Sequence, residues 1–267
     1  MSFTNQLDEA MDKNNSLVCV GLDPVLEKLP DEFKSSDEPF FEFNKSIIDA
    51  TKDLVCAYKP NSAFYEALGA KGIQQLKETC DYINQNYPDI PIILDAKRGD
   101  IGSTNNGYVQ FAFDYLGCDA ITLHPYMGQE SLQPFLDRSD KGCIIQCLNS
   151  NKGAEEFQSL ETNGEKLYQR VAKAVAENWN RNGNCLLVVG ATNPAGLKEV
   201  RQITGDEMTL LVPGIGAQGG DVEATLEAGL NSNKKGLVIN SSRAIIYAEN
   251  PRLETENLRN KINQSRE

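Results

Sequence analysis

Eight short apolar runs divide the chain, at residues 16–23, 55–61, 91–97, 120–125, 142–148, 185–191, 209–216 and 235–243. Most are Val, Ile and Leu without polar alternation, the pattern of strands covered on both faces, as in a parallel sheet. Between them, apolar positions recur at three- and four-residue spacing, which predicts helices over 40–53, 70–86 and 163–180. Two more helices are marked by their start signals. Asn193 as N-cap with Pro194 at the first helical position opens 193–204, and Asp221 caps 221–230. Strand then helix, eight times and without a linker-like break, predicts an α/β fold: a (β/α)8 TIM barrel, one domain over residues 1–267. A doubly wound open sheet is the competing arrangement, and the count of eight favours the barrel.

A barrel keeps its chemistry at the C-terminal ends of its strands. Those ends carry Asp23, Lys59 and Asn61, Asp95 and Lys97, His124, Asn149 and Ser150, Gly214 and Gly216, and Arg243. The densest stretch is "LDAKRGDIGST", residues 94–104. Buried charge is costly unless it is paired, so a core strand ending in Asp-x-Lys-x-x-Asp needs a reason. Asp95 and Lys97, two apart on a strand, are expected to share one face, with Asp100 past the strand end. A structural ion pair before a solvated loop is the plain reading; Lys59 close by favours a working cluster.

The segment "PGIGAQGGD", 213–221, matches G-x-G-x-x-G at Gly214, Gly216 and Gly219. It follows the seventh strand rather than the first, and no acidic residue ends the next strand, so a dinucleotide fingerprint fits poorly. Loops after strands seven and eight of a barrel commonly bind phosphate through backbone N–H groups, and Arg243 would add a bidentate donor. The plain alternative is a glycine-rich turn beside a surface arginine. His124 reads as a barrel-end residue outside the chemistry, and Trp179 as helix packing.

Composition narrows the partners. Lys and Arg number 26 against 38 Asp and Glu, a net charge of −12, so the chain as a whole repels nucleic acid and anionic membranes. An anionic ligand therefore needs a local site. No apolar run approaches a membrane span, and the polar, acidic first 16 residues read as neither signal nor transit peptide. Of seven cysteines, Cys19, Cys56, Cys143, Cys147 and Cys185 lie in apolar segments and read as reduced packing residues of a cytoplasmic protein. Cys143 and Cys147 on one strand would stand roughly 13 Å apart, too far to share a zinc ion. The only histidine is His124, which excludes a two-histidine metal site and leaves one candidate for a Ser-His-Asp triad.

Taken in order, "GLDP", "YKPNSAFYE", "LDAKRGDIGST", "PGIGAQGGD" and "INSSR" resemble the orotidine 5′-phosphate decarboxylases, closest to their longer bacterial-type subfamily and over essentially the whole chain. The resemblance implies decarboxylation of orotidine 5′-monophosphate to uridine 5′-monophosphate, the last step of de novo pyrimidine nucleotide synthesis. It also implies no cofactor, no metal, and a homodimer whose sites straddle the interface. Carried over by motif, Lys59, Asp95, Lys97 and Asp100 are the charged catalytic network. Asp100, Ile101 and Thr104 would reach the partner's site. Asp23 would bind the ribose, Gln218 and Arg243 the phosphate with backbone help at Gly216, and Ser150 or Asn149 the pyrimidine, with Asn61 a further substrate-binding residue. The segments 149–165 and 214–220 would close over the ligand. D-x-K-x-x-D also occurs in sugar-phosphate barrels resembling keto-gulonate-phosphate decarboxylase or hexulose-phosphate synthase, which use a metal and carry an acid where this chain has Lys59. A non-enzymatic phosphate-ligand sensor is the rival from another class.

Overall fold

The computed structural model describes residues 1–215 and 219–266. Eight parallel strands form the sheet: β1 (Val18–Leu22), β2 (Ala57–Pro60), β3 (Ile93–Arg98), β4 (Ala120–Leu123), β5 (Gly142–Leu148), β6 (Cys185–Val189), β7 (Leu210–Pro213) and β8 (Leu237–Ser241). Each falls inside one of the eight apolar runs apart from the last residue of β3. The hydrogen-bonded order runs β2-β1-β8-β7-β6-β5-β4-β3. Parallel bridges Tyr58–Ile92 and Asn61–Asp95 join the two outer strands, so the sheet closes into a barrel. Closure removes the exposed edges an open sheet would leave. Strands β1, β2, β4 to β6 and β8 are buried along their whole length, which is why their sequences carry almost no polar alternation.

The helices follow the expected caps closely. Helix Ala70–Asn86 occupies the predicted span, Asn193 accepts from the Gly196 N–H at 2.8 Å, and Asp221 accepts from Ala224 at 3.0 Å. Two stretches differ. The predicted helix over 163–180 begins only at Leu167; before it, Glu161–Thr162 and Glu165–Lys166 pair as a small antiparallel hairpin around Asn163 and Gly164. Both of those turn residues have positive φ, 55° and 77°, which a helix would not accept. The polar N-terminus is itself a helix, Phe3–Lys13, whose apolar face of Phe3, Leu7, Ala10 and Met11 is buried. Phe3 covers the start of β5, where a Cβ on Gly142 would lie 2.3 Å from its ring. The bottom of the barrel is thus plugged and its C-terminal mouth left open.

A buried arginine braces the strands that carry the glycine-rich segment. Arg201 has no carboxylate partner among the described residues; its guanidinium donates to the carbonyls of Gly229, Gly205, Met208 and Gly236 at 2.6–2.8 Å. These carbonyls flank the entries to β7 and β8. All seven cysteines are buried and none forms a disulfide. Among the described residues no helix is long and apolar enough to cross a membrane.

Candidate active site

The barrel mouth opens into a cavity of about 390 Å³. Its charged corner is built by β2 and β3. Lys59 and Asp95 face each other across the seam where the barrel closes, with Lys59 Nζ donating to Asp95 Oδ2 at 2.7 Å. Lys97 Nζ donates to the other oxygen, Oδ1, at 2.5 Å. Asn61 Nδ2, at 3.3 Å from Oδ2, and the Thr122 hydroxyl, at 2.9 Å from Oδ1, complete the set of donors around Asp95. Burial works against the charge on this carboxyl, but Lys59 and then Lys97 outweigh it and hold its pKa well below the usual carboxylate range. Burial also works against the charge on Lys59, whose side chain is 5% exposed; Asp95, then Asp23, outweigh it and raise its pKa above the usual lysine range.

Asp95 and Lys97 do converge, though not through a regular strand. Ile93 and Leu94 pair with Ala120 and Ile121, but the next pair is Arg98 with Leu123, so residues 95–97 bulge opposite Thr122. Lys97 sits in the left-handed region at φ 46°, unusual for a residue with a Cβ. Thr122 stabilises the bulge from β4, since its hydroxyl oxygen accepts from the Lys97 N–H at 2.9 Å while donating to Asp95. The bulge leaves the Lys97 side chain 41% exposed at the mouth, with the ammonium still on Asp95. Bulges that re-aim a side chain, and strained backbone, recur at functional sites. Arg98, next in the chain, turns away and pairs with Glu66.

The other walls follow from the remaining strand ends. Asp23 accepts from the Asn61 N–H at 3.2 Å, which ties the ends of β1 and β2 together. Gly21 must be glycine there, because a Cβ would stand 2.6 Å from that of Ser242. Asn149 and Ser150 line the cavity after β5, and β6 approaches Ser150 so closely that a Cβ on Gly190 would come within 2.6 Å of its N–H. Across the mouth, Arg243 is exposed and has no acidic partner among the described residues, although it lines the same cavity as Gly214 and Ile215. The glycine-rich segment is pinned where it can be followed, with the Gly220 N–H on the Gly214 carbonyl at 3.1 Å. Gly216 and Gln218 lie outside the described residues.

Of the residues singled out from sequence, Asp23, Lys59, Asn61, Asp95, Lys97, Asn149, Ser150 and Arg243 line this one cavity. Asp100, Ile101 and Thr104 do not. The backbone of Asp100 is clamped by Asn105, which accepts from its N–H at 3.0 Å and donates to its carbonyl at 2.6 Å, and its carboxylate accepts from the Ile101 N–H at 2.7 Å. The charge alternation within one chain is therefore Lys59–Asp95–Lys97, with Asp100 set apart. Ile101 and Thr104 are exposed. His124 lies outside the cavity, its N–H on the Arg98 carbonyl at 2.8 Å.

Among the cavity residues that the reading of the sequence missed are three buried polar ones on the strands, Thr122, Gln146 and Asn240. Thr122 and Gln146 each interrupt an otherwise apolar strand, and Asn240 precedes Ser241 at the end of β8; that interruption was the available signal. Gln146 Nε2 and Asn240 Oδ1 are buried without a hydrogen-bond partner among the described residues.

The whole-chain comparisons agree on one assignment. Residues 16–258 match the model of the Orotidine 5′-phosphate decarboxylase / HUMPS family. The chain belongs to this family. It is similar to the orotidine 5′-phosphate decarboxylase of Janthinobacterium sp. (strain Marseille), 50% identical over 93% of this chain and 91% of that one. That of Dechloromonas aromatica (strain RCB) is 52% identical over the same shares. Among solved structures, the OMP decarboxylase of Leishmania donovani superposes with a TM-score of 0.89 at 40% identity, covering 100% of this chain and 99% of that one. The barrel of that solved structure is the architecture seen here.

Proposed function

We infer that this protein decarboxylates orotidine 5′-monophosphate to uridine 5′-monophosphate and CO2, within pyrimidine nucleotide synthesis. The observation that carries the reading is the Lys59–Asp95–Lys97 chain of ion pairs at the barrel mouth, with Arg243 across the cavity. A metal-using sugar-phosphate enzyme would want an acid where Lys59 stands, and a sensor would have no use for a half-exposed lysine held on a strained bulge.

The reaction breaks the bond between C6 and the carboxylate carbon, and the electron pair stays on C6. The Lys97 ammonium stands beside that carbon, stabilises the carbanion and gives it a proton; solvent then restores the lysine. Asp95, near the departing carboxylate, holds Lys97 through Oδ1 and is held in turn by Lys59. Charges fixed before the reaction cost no reorganisation during it, usually the largest catalytic contribution. Asp23 and Asn61 serve the ribose, Ser150 or Asn149 the pyrimidine, and Arg243 with Gln218 and Gly216 the phosphate. Phosphate binding far from C6 aids the chemical step by closing the segment 149–165 over the site.

Asp100, Ile101 and Thr104 complete the site of a partner subunit in a homodimer. Their position beside the mouth but outside their own cavity supports this, as do the exposed apolar side chains of Ile101, Tyr126 and Met127 on the loops after β3 and β4. Seven cysteines outside any disulfide fit a reducing cytoplasm. Following the absorbance of orotidine 5′-monophosphate with purified protein and no added metal tests the reading. Conversion to uridine 5′-monophosphate is expected; an unchanged spectrum would refute it.

A further inference from the structure

Gln146 interrupts the apolar run of β5 and is 4% exposed, yet its amide Nε2 has no acceptor among the described residues. Buried N–H groups are normally satisfied, and an apolar side chain of the same size would remove the penalty. The side chain lines the cavity that holds Asp95 and Lys97. Its place follows from the strand register. Thr122 pairs with Ile144 and Leu123 with Ile145, so Gln146 stands two residues nearer the mouth than Thr122, on the neighbouring strand. Thr122 in turn bonds Asp95. On its other side the register partner of Gln146 is Val188, which offers no side-chain acceptor. Gln146 thus lines the cavity together with the Asp95 corner and with Ser150, which lies just past the end of its own strand.

We propose that Gln146 is a specificity-determining residue whose Nε2 donates a hydrogen bond to the carboxylate of the substrate. The inference rests on the decarboxylase reading, which puts that carboxylate beside Asp95. There it meets a like charge, and a neutral donor on the adjacent wall offsets the repulsion without disturbing the ion pairs of Asp95. The contact belongs to the substrate alone. When the carbon–carbon bond breaks, the negative charge passes to C6, and the carboxylate leaves as neutral CO2, a weak acceptor. Gln146 therefore favours substrate over product in the same cavity. A base carbonyl as acceptor would make no such distinction, because substrate and product both carry it.

The test compares wild type with Gln146→Leu, using steady-state kinetics on orotidine 5′-monophosphate and competitive inhibition by uridine 5′-monophosphate. Loss of a hydrogen bond to a charged group predicts a KM raised about tenfold or more; because the contact fades as the carboxylate becomes CO2, kcat/KM should fall by less than KM rises. The inhibition constant of uridine 5′-monophosphate should move by less than about twofold, since product lacks the acceptor. Parallel weakening of substrate and product would overturn the assignment in favour of a base contact or a structural role. An unchanged KM would overturn it too. Gln146→Met makes the same deletion with a more adaptable side chain and is read identically if Gln146→Leu fails to fold. Absence of turnover by wild type would overturn the decarboxylase reading itself, a result distinct from turnover that Gln146 does not influence.

Discussion

Replacing Asp95 with alanine strips the carboxylate from a lysine that has almost no access to water. Lys59 is 5% exposed and Asp95 11%, and their 2.7 Å ion pair closes the seam between β2 and β3. Asp23 is the other carboxylate acting on Lys59, but the direct hydrogen bond is to Asp95. Removing one partner of a buried pair typically costs about 3–5 kcal/mol, because the remaining charge loses its compensation. At about 2–4 °C per kcal/mol for a domain of this size, the melting temperature should fall by roughly 6–20 °C. Lys97 is 41% exposed and can turn to solvent, so it adds little to the loss. Adding Lys59→Met to Asp95→Ala removes the stranded charge, and the double variant should melt above the single one. Thermal unfolding at neutral pH, followed by circular dichroism for wild type, Asp95→Ala, Lys59→Met and the double variant, measures the coupling. An Asp95→Ala protein that melts within about 2 °C of wild type, or a double variant less stable than Asp95→Ala, would refute the claim that the pair is buried and mutually dependent.

Other consequences follow from the same structure. Lys97→Gly should be more stable than Lys97→Ala by about 1–2 kcal/mol, reversing the usual order, because glycine accepts the positive φ without strain; paired melting curves decide it. The Asp95 carboxyl titrates below its unfolded value, so its stabilising contribution is complete above about pH 4 and lost as pH falls further. The stability gap between wild type and Asp95→Asn, measured by urea unfolding, should therefore narrow below that pH. Arg243→Ala should lower kcat as well as raise KM; a raised KM with unchanged kcat would count against phosphate-driven closure. Arg201→Met strands the four carbonyls that its guanidinium satisfies and should cost at least about 3 kcal/mol in the same urea assay.

The barrel was legible because closure buries both faces of most strands, which leaves eight uninterrupted apolar runs, and because Asn193 and Asp221 are strong caps. The hairpin at 161–166 was not, since its turn depends on positive φ at Asn163 and Gly164 within a stretch of helical periodicity. The helix at 3–13 hid its apolar face of Phe3, Leu7, Ala10 and Met11 among polar and acidic residues. In the site, the charged residues declared themselves by the cost of placing charge at the end of a core strand. The way Asp95 meets Lys97 could not be foreseen, because alternation along a regular strand gives no hint of a three-residue bulge held by a threonine on the next strand. Gln146 was overlooked for the opposite reason: a neutral amide in an apolar run raises no alarm until its missing partner is seen.

The most direct test of the account is turnover of orotidine 5′-monophosphate by wild type and by Lys97→Ala, with circular dichroism confirming that both are folded. Lys97 as charge stabiliser and proton donor predicts rapid formation of uridine 5′-monophosphate by wild type and a loss of at least roughly 10³-fold in the variant. Failure of wild type to convert the substrate, or a folded Lys97→Ala protein retaining substantial turnover, would contradict it.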